Sequence, residues 1–294
     1  MSHLPTSEEN PKKALQLIAN ELKHFGKNFK PVGNTEAVIS NQQSLLSEPF
    51  IGYVEVFSED GNESYIFCRH DTPLSLSKAS KSVFYASYLS PMGTMLVAAP
   101  GYSKTIKIPI LYSKPKEYKS RYIELIANAR FRTERIGFDW NAYDVSVHWG
   151  KQSLHGRSLR GLLAQQLEQG DSNVDELKEK RKNQLITQNV KLKPQRSIAQ
   201  VTQLPDRAVL DDVQDPIFRH EIDGTILITG APGTGKTTVQ IKRLAQKTKW
   251  SYLTDSERSG LDQSTWNDNE GWVFFTPTPL LKNYLKEALS KEQL

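Results

Sequence analysis

The chain has 294 residues, a formal net charge of +5, 37% hydrophobic and 24% charged residues, and a mean hydropathy of −0.53. That length accommodates about two domains, and the composition excludes a fibrous or membrane-embedded chain, because no apolar run approaches the roughly 18 residues of a span. A single cysteine, Cys68, excludes an internal disulfide and a cysteine-rich zinc module, and the opening MSHLPTSEENPKKALQ lacks the apolar stretch of a secretory leader, so a cytoplasmic protein with no membrane partner is expected.

Residues 1–44 read as an N-terminal helical segment. Ala14, Leu15, Leu17, Ile18 and Leu22 recur near helical spacing, and Gly26 suits a C-terminal cap. Residues 45–114 read as a small β-rich domain. An apolar run over 50–57 leads through Glu59-Asp60-Gly61-Asn62, a hairpin signal, into a second strand over 64–68. Further strands are predicted over 83–89, 95–99 and 105–112. Residues 115–203 read as a helical, basic connecting region, with helices over 118–135, 159–169 and 174–188. Asp171-Ser172-Asn173 suits an N-cap for the last of these, and 191–197 suits a linker. From Ser103 to Arg196 there are 19 Lys and Arg against 10 Asp and Glu. A solvated helical surface and a nucleic-acid or acidic-protein face both fit that excess.

Residues 204–294 change texture. A short helix over 211–220 precedes a buried strand over 224–229, a glycine-rich turn and a helix over 236–246. A polar loop over 250–271, a second buried strand over 272–275 and a helix over 280–289 follow. This order is the start of a parallel sheet. The fold class is therefore α/β: a helix and a small β-rich domain, a helical basic middle, then a domain whose turn Gly230-Ala231-Pro232-Gly233-Thr234-Gly235-Lys236-Thr237 resembles a P-loop and so implies the beginning of a P-loop (RecA-like) domain.

The strongest chemical signal is Gly230-Ala231-Pro232-Gly233-Thr234-Gly235-Lys236-Thr237, which fits G-x-x-x-x-G-K-[ST] in full. Such glycines let backbone N–H groups curl around phosphate oxygens, and the helix that follows turns its positive end toward the same anion. Lys236 then places an ammonium on the β- and γ-phosphates and Thr237 a hydroxyl on Mg²⁺, which implies ATP and Mg²⁺ as cofactors. The histidines His3, His24, His70, His148, His155 and His220 show no metal-ligand spacing, and Cys68 reads as a core residue.

The flanks of this loop resemble superfamily 1 helicases of the UvrD/Rep type. The segment around Asp211-Asp212-Val213-Gln214 precedes the loop, and Thr276-Pro277-Thr278 follows the next apolar run. The resemblance covers roughly 204–294. It implies that Gln214 reads the adenine edge, that Thr276, Pro277 and Thr278 contact single-stranded DNA or RNA, and that Arg243 matches the family's arginine on the following helix. Thr238 stands where the family often has arginine, a departure that bears on nucleotide contacts at that position. The chain ends at Leu294, and after the loop no acidic pair closes an apolar strand. The expectation is an ATP-binding front part of a motor whose hydrolysis and unwinding need further motifs. A loop of this form also occurs in AAA-type ATPases, against which the Thr-Pro-Thr segment argues.

Two further resemblances concern the N-terminal half. Residues 50–69 are similar to the opening pattern of HelD-type helicases, and 83–112, with Ser90-Pro91 and Leu96, look like the C-terminal domain of the Gre transcript-cleavage factors. Tyr102 stands where that domain has an acidic residue. Both imply contact with RNA polymerase. An alternative function is thus a transcription-associated module that uses the loop as a nucleotide sensor.

Overall fold

The computed structural model describes residues 10–28, 48–70, 83–109, 118–136, 139–168, 208–268, 270–292 and 294. The predicted helix over 174–188, its cap and the linker over 191–197 lie outside these residues. Helix α1 (Asn10–Asn28) is followed by strands β1 (Gly52–Ser58), β2 (Gly61–Cys68) and β3 (Val83–Ser87) and by a 3₁₀ helix (Pro91–Leu96). Next come β4 (Ser103–Pro109), β5 (Tyr118–Ile136), β6 (Asp139–Trp149), β7 (Gln152–Ser158) and α2 (Leu159–Glu168). The last part holds α3 (Gln214–Arg219), α4 (Lys236–Lys247), a 3₁₀ turn (Trp250–Tyr252), α5 (Asp255–Ser259) and α6 (Pro279–Lys291). The architecture is mixed α and β. Among the described residues no helix is long and apolar enough to cross a membrane.

Among the described residues seven strands join one sheet, in the order β3-β2-β1-β5-β6-β7, with β4 also paired to β5. The pairing is antiparallel throughout except between β2 and β3, which run parallel. Ile123 and Glu124 pair with both β1 and β4, whereas residues 127–130 pair with both β1 and β6. Strands β4 and β6 therefore take successive lengths of the same side of β5. The predicted helix over 118–135 is corrected here: the segment is a 19-residue strand. Its arginines, glutamates and alanines favour a helix in isolation. Ala127, Ala129 and Phe131, however, alternate inward against one core, and neighbours on both sides satisfy the backbone of a strand. The run of Leu, Ala and Arg thus follows its partners rather than its propensity.

The two faces of the sheet are covered differently. On the first, α1 lays Ala14, Leu15, Ile18, Leu22 and Phe25 against Phe50, Tyr53, Ile66, Trp140 and Val147. The larger of these helix side chains each contribute roughly 1.5–3 kcal/mol of burial. Leu159 and Leu162 of α2 extend the same layer. Helix α1 runs through Gly26 to Asn28, so the predicted cap at Gly26 falls inside the helix. Lys13 pairs with the buried Glu55 at 3.2 Å across this interface, and Tyr85 donates its hydroxyl to Glu21 at 2.6 Å.

On the second face Ile51, Val54, Val56, Tyr65 and Phe67 meet the 3₁₀ helix and the C-terminal part of the chain, with Ala208, Leu210, Phe218, Val239 and Tyr252. Strand β1 is covered on both sides, which explains why its residues are buried almost without alternation. The predicted strand over 95–99 is also corrected: Pro91 opens a 3₁₀ helix that ends at Leu96, with Met92, Met95 and Leu96 turned inward.

One network fastens α3 to this face. The Tyr88 hydroxyl donates to Asp215 Oδ1 at 2.9 Å and accepts from the Leu210 N–H at 3.2 Å. Arg219 Nε pairs with Asp215 at 2.9 Å, while its two Nη groups donate to the carbonyls of Ser90 and Tyr88, each at 3.2 Å. The Tyr88 and Phe218 rings stack at 5.6 Å. A side chain at Gly93 would lie 2.0 Å from the Tyr88 carbonyl and 2.9 Å from Arg219, so only glycine admits this approach.

Candidate functional site

The loop 230–235 opens α4. Gly230, Gly233 and Gly235 have φ of 154°, 81° and 80°, values that side chains with a Cβ resist. Thr234 closes a turn by donating its N–H (3.4 Å) and its Oγ1 (2.9 Å) to the Ala231 carbonyl. Gly235 then stands directly before Lys236, the first residue of α4. The leading N–H groups of that helix have no partner within it and face the loop end, where the helix dipole is positive. The Lys236 ammonium folds back over the loop, donating to the carbonyls of Gly230 at 2.8 Å and Ala231 at 2.7 Å. Thr237 is exposed and Thr238 half-buried in the first turn, while Ala231 and Pro232 lie exposed at the tip.

Gln214 is brought to this loop from the other side. Asp211 accepts from the N–H groups of Val213 (3.1 Å) and Gln214 (2.8 Å), and the Gln214 Oε1 accepts from the Asp211 N–H at 3.4 Å. This reciprocal pairing has the logic of a capping box and fixes the start of α3. It leaves the Gln214 Nε2 free to donate to the Thr234 carbonyl at 3.0 Å. A Cβ at Gly235 would sit 2.6 Å from that nitrogen. The structure therefore brings Gln214, from the upstream segment, against Thr234 and Gly235 of the glycine loop, next to Lys236.

Other predicted residues go elsewhere. Thr278 caps α6, its Oγ1 accepting from the Leu281 N–H at 3.2 Å, and Pro279 fills the first turn. Thr276 is half-buried and Pro277 exposed, and no described hydrogen bond links 276–278 to the glycine loop. Arg243 donates to the carbonyls of His220 and Glu221, so it ties α4 to the end of α3, and burial pulls its guanidinium pKa down.

The predicted buried strands over 224–229 and 272–275 are corrected. Both segments lack strand pairing, and Leu227, Val273 and Phe275 are 87%, 75% and 89% exposed. An apolar run becomes a strand only where a neighbour offers N–H and C=O groups, and no described strand lies alongside. A groove of about 560 Å³ separates residues 270–275 from α4, lined by Arg243, Leu244, Lys247, Trp266, Trp272 and Phe274.

The carboxylates that follow the loop are engaged away from it. Glu257 pairs with Lys247 at 2.5 Å and completes the capping box of α5 with Thr254. Burial alone would raise its carboxyl pKa, but these hydrogen bonds outweigh burial and lower it. Glu292 pairs with Lys242 at 2.7 Å and Arg69 at 2.5 Å. The carboxylates lie 10 and 50 residues from their lysines, and the second partnership was not readable from local pattern. No group of three or more His, Cys, Asp or Glu suited to a metal ion occurs among the described residues. Compared with family models, curated proteins and solved structures, the chain matches none.

Proposed function

We propose that residues 208–247 hold the nucleotide site of a UvrD/HelD-like motor and that the chain binds ATP with Mg²⁺. One observation carries the reading: three glycines at positive φ shape the loop that opens α4, the Lys236 ammonium lies on the carbonyls of Gly230 and Ala231 in that loop, and Gln214 is fixed to it at Thr234. The donor set fits a triphosphate. Lys236 exchanges its two carbonyl partners for the β- and γ-phosphates, a stronger, charge-assisted pairing. The N–H groups of Gly233, Thr234 and Gly235 line the phosphates. Gly230, Ala231, Pro232 and Thr238 frame them, Thr237 Oγ1 meets the metal, and Gln214 orients the adenine. Bound ATP and Mg²⁺ would supply the phosphoanhydride and the charge that neutralises its leaving group. Contact of Thr276, Pro277 and Thr278 with single-stranded DNA or RNA belongs to the same proposal, whereas the described residues of 204–294 do not form the parallel sheet expected of a RecA-like domain.

Titration calorimetry with ATP and Mg²⁺ tests it. Lys236→Ala is expected to weaken binding at least about tenfold, equivalent to about 1.4 kcal/mol. Equal affinity in the variant overturns the assignment.

A second reading, docking on RNA polymerase, is favoured by one arrangement. Strand β3, then Ser90-Pro91, then a short helix closing at Leu96 follow one another as in the Gre resemblance. Capture of purified polymerase by the full chain, unchanged by Lys236→Ala, is its expected outcome. No capture removes it.

A further inference from the structure

The 3₁₀ helix and α3 cover only part of the second face of the sheet. Asn128 of β5 donates to the carbonyls of Met95 (3.0 Å) and Ala98 (2.7 Å), which places its side chain on that face. Two residues further along the strand, Arg130 shares this face. The register sets Arg130 opposite Ser146, Ser146 opposite His155, and His148 opposite Ser153. Val145, Val147 and Leu154 point into the first core, so the residues between them point to the second face. There the His148 and His155 rings meet edge to face at 5.5 Å, and Ser146 Oγ lies 2.8 Å from His148 Nε2. The sequence gives these histidines no recognisable spacing, and only the β6–β7 pairing joins them.

The charge of this area has one sign. Residues 125–133 and 145–157 contain no Asp or Glu. The nearby carboxylates Glu134 and Asp144 are occupied by Arg132, at 3.1 and 3.3 Å. His155, Arg157 and Lys151 are exposed, and Arg130 and His148 half-buried. Among the described residues, Arg130, Lys151 and Arg157 make no ion pair. Burial, then Arg130, then His155 lower the His148 pKa, in keeping with a locally positive field.

We propose that this face of β5, β6 and β7 is a docking surface for single-stranded nucleic acid. Arg130, Lys151 and Arg157 take successive phosphates, and the two imidazoles offer ring surface to unpaired bases. Guanidinium groups match phosphate oxygens in paired donors. Imidazole and guanidinium planes suit exposed bases, which a duplex hides within its stack. An acidic peptide would use the charge but leave the ring pair without a role. The surface is separate from the nucleotide loop and does not depend on that assignment.

The test is fluorescence anisotropy of a labelled 20-residue oligo-dT with the full chain at low salt. Duplex DNA of the same length and poly-glutamate serve as competitors. His155→Glu with Arg157→Glu is expected to weaken oligo-dT binding about tenfold or more, while ATP affinity and the circular dichroism spectrum stay unchanged. Arg130→Gln with Arg157→Gln is expected to reduce the slope of log affinity against log salt by about 1.4, or about 0.7 for each lost phosphate contact. Lys236→Ala is expected to bind oligo-dT as the natural chain does, so that failure of the ATP reading and failure of this one remain distinguishable. The proposal is overturned if the natural chain does not bind oligo-dT, or if the folded variants bind it unchanged. It is equally overturned if poly-glutamate or duplex displaces oligo-dT at equal concentration, since the surface would then read charge alone.

Discussion

The Tyr88 hydroxyl and the Asp215 carboxylate, 127 residues apart in sequence, share a 2.9 Å hydrogen bond inside the molecule. The same hydroxyl accepts from the Leu210 N–H, so one oxygen serves two buried groups. It thereby fixes the helix that carries Gln214 to the sheet. Tyr88→Phe keeps the ring stack on Phe218 but removes both bonds. The expected loss is roughly 1–3 kcal/mol, because a buried carboxylate oxygen and a buried N–H each lose a partner. Urea denaturation checks it, and an unchanged midpoint would show that the network adds nothing to stability.

Gly235→Ala probes the loop itself. A Cβ at φ 80° costs roughly 1–2 kcal/mol, and it would also press on the Gln214 amide 2.6 Å away. The variant is expected to lose stability by about that amount and to bind ATP more weakly. Calorimetry and thermal unfolding on one preparation separate the two effects.

Much of this region was legible because its signals are local. The glycine string, the apolar stripe of α1 and the hairpin after Phe57 each state their structure within a few residues. Strand β5 was not legible in the same way. Its composition suits a helix, and only the neighbours β1, β4 and β6, distant in sequence, decide for a strand. The runs over 224–229 and 272–275 failed for the opposite reason: they read as buried strands, but the described sheet gives them no neighbour. Thr278 shows how a motif residue can carry a structural duty, since its hydroxyl caps α6.

The Glu292 carboxylate lies buried between Arg69 and Lys242 and joins the residue after β2 to α4 and the end of α6. Glu292→Gln removes the buried carboxylate that Lys242 and Arg69 share, and a loss of about 3–5 kcal/mol is expected for breaking a buried pair. Burial alone would raise this carboxyl pKa, but Lys242 and Arg69 outweigh it and hold the group well below the usual carboxylate range. Its contribution is therefore complete above the unfolded value of 4.5 and declines as pH falls below it. Denaturation curves of the natural chain and the variant should converge under acid.

His70 adds a second acid sensitivity at higher pH. It is 4% exposed, and among the described residues neither ring nitrogen has a hydrogen-bond partner. Burial, reinforced by Arg69, Lys242 and Lys249 and opposed by Glu292, pushes its pKa from 6.5 down to about 4. Between those values the unfolded chain binds a proton that the folded chain refuses, so stability falls as pH falls from 6.5 toward 4. The full effect is about 3 kcal/mol. His70→Phe is expected to flatten the stability profile across this window. An unchanged slope would assign the acid sensitivity to other groups.

Strand β5 binds the two halves of the sheet into one opening event. Residues 123–124 and 127–130 have backbone partners on both sides, first β4 and β1, then β1 and β6, so no neighbour can peel away without exposing a row held from across the strand. Amide hydrogens along this stretch should therefore exchange with solvent only through global unfolding. They would mark the ceiling of protection for the molecule, well above the exposed apolar segment at 272–275, whose amides have no ladder to break.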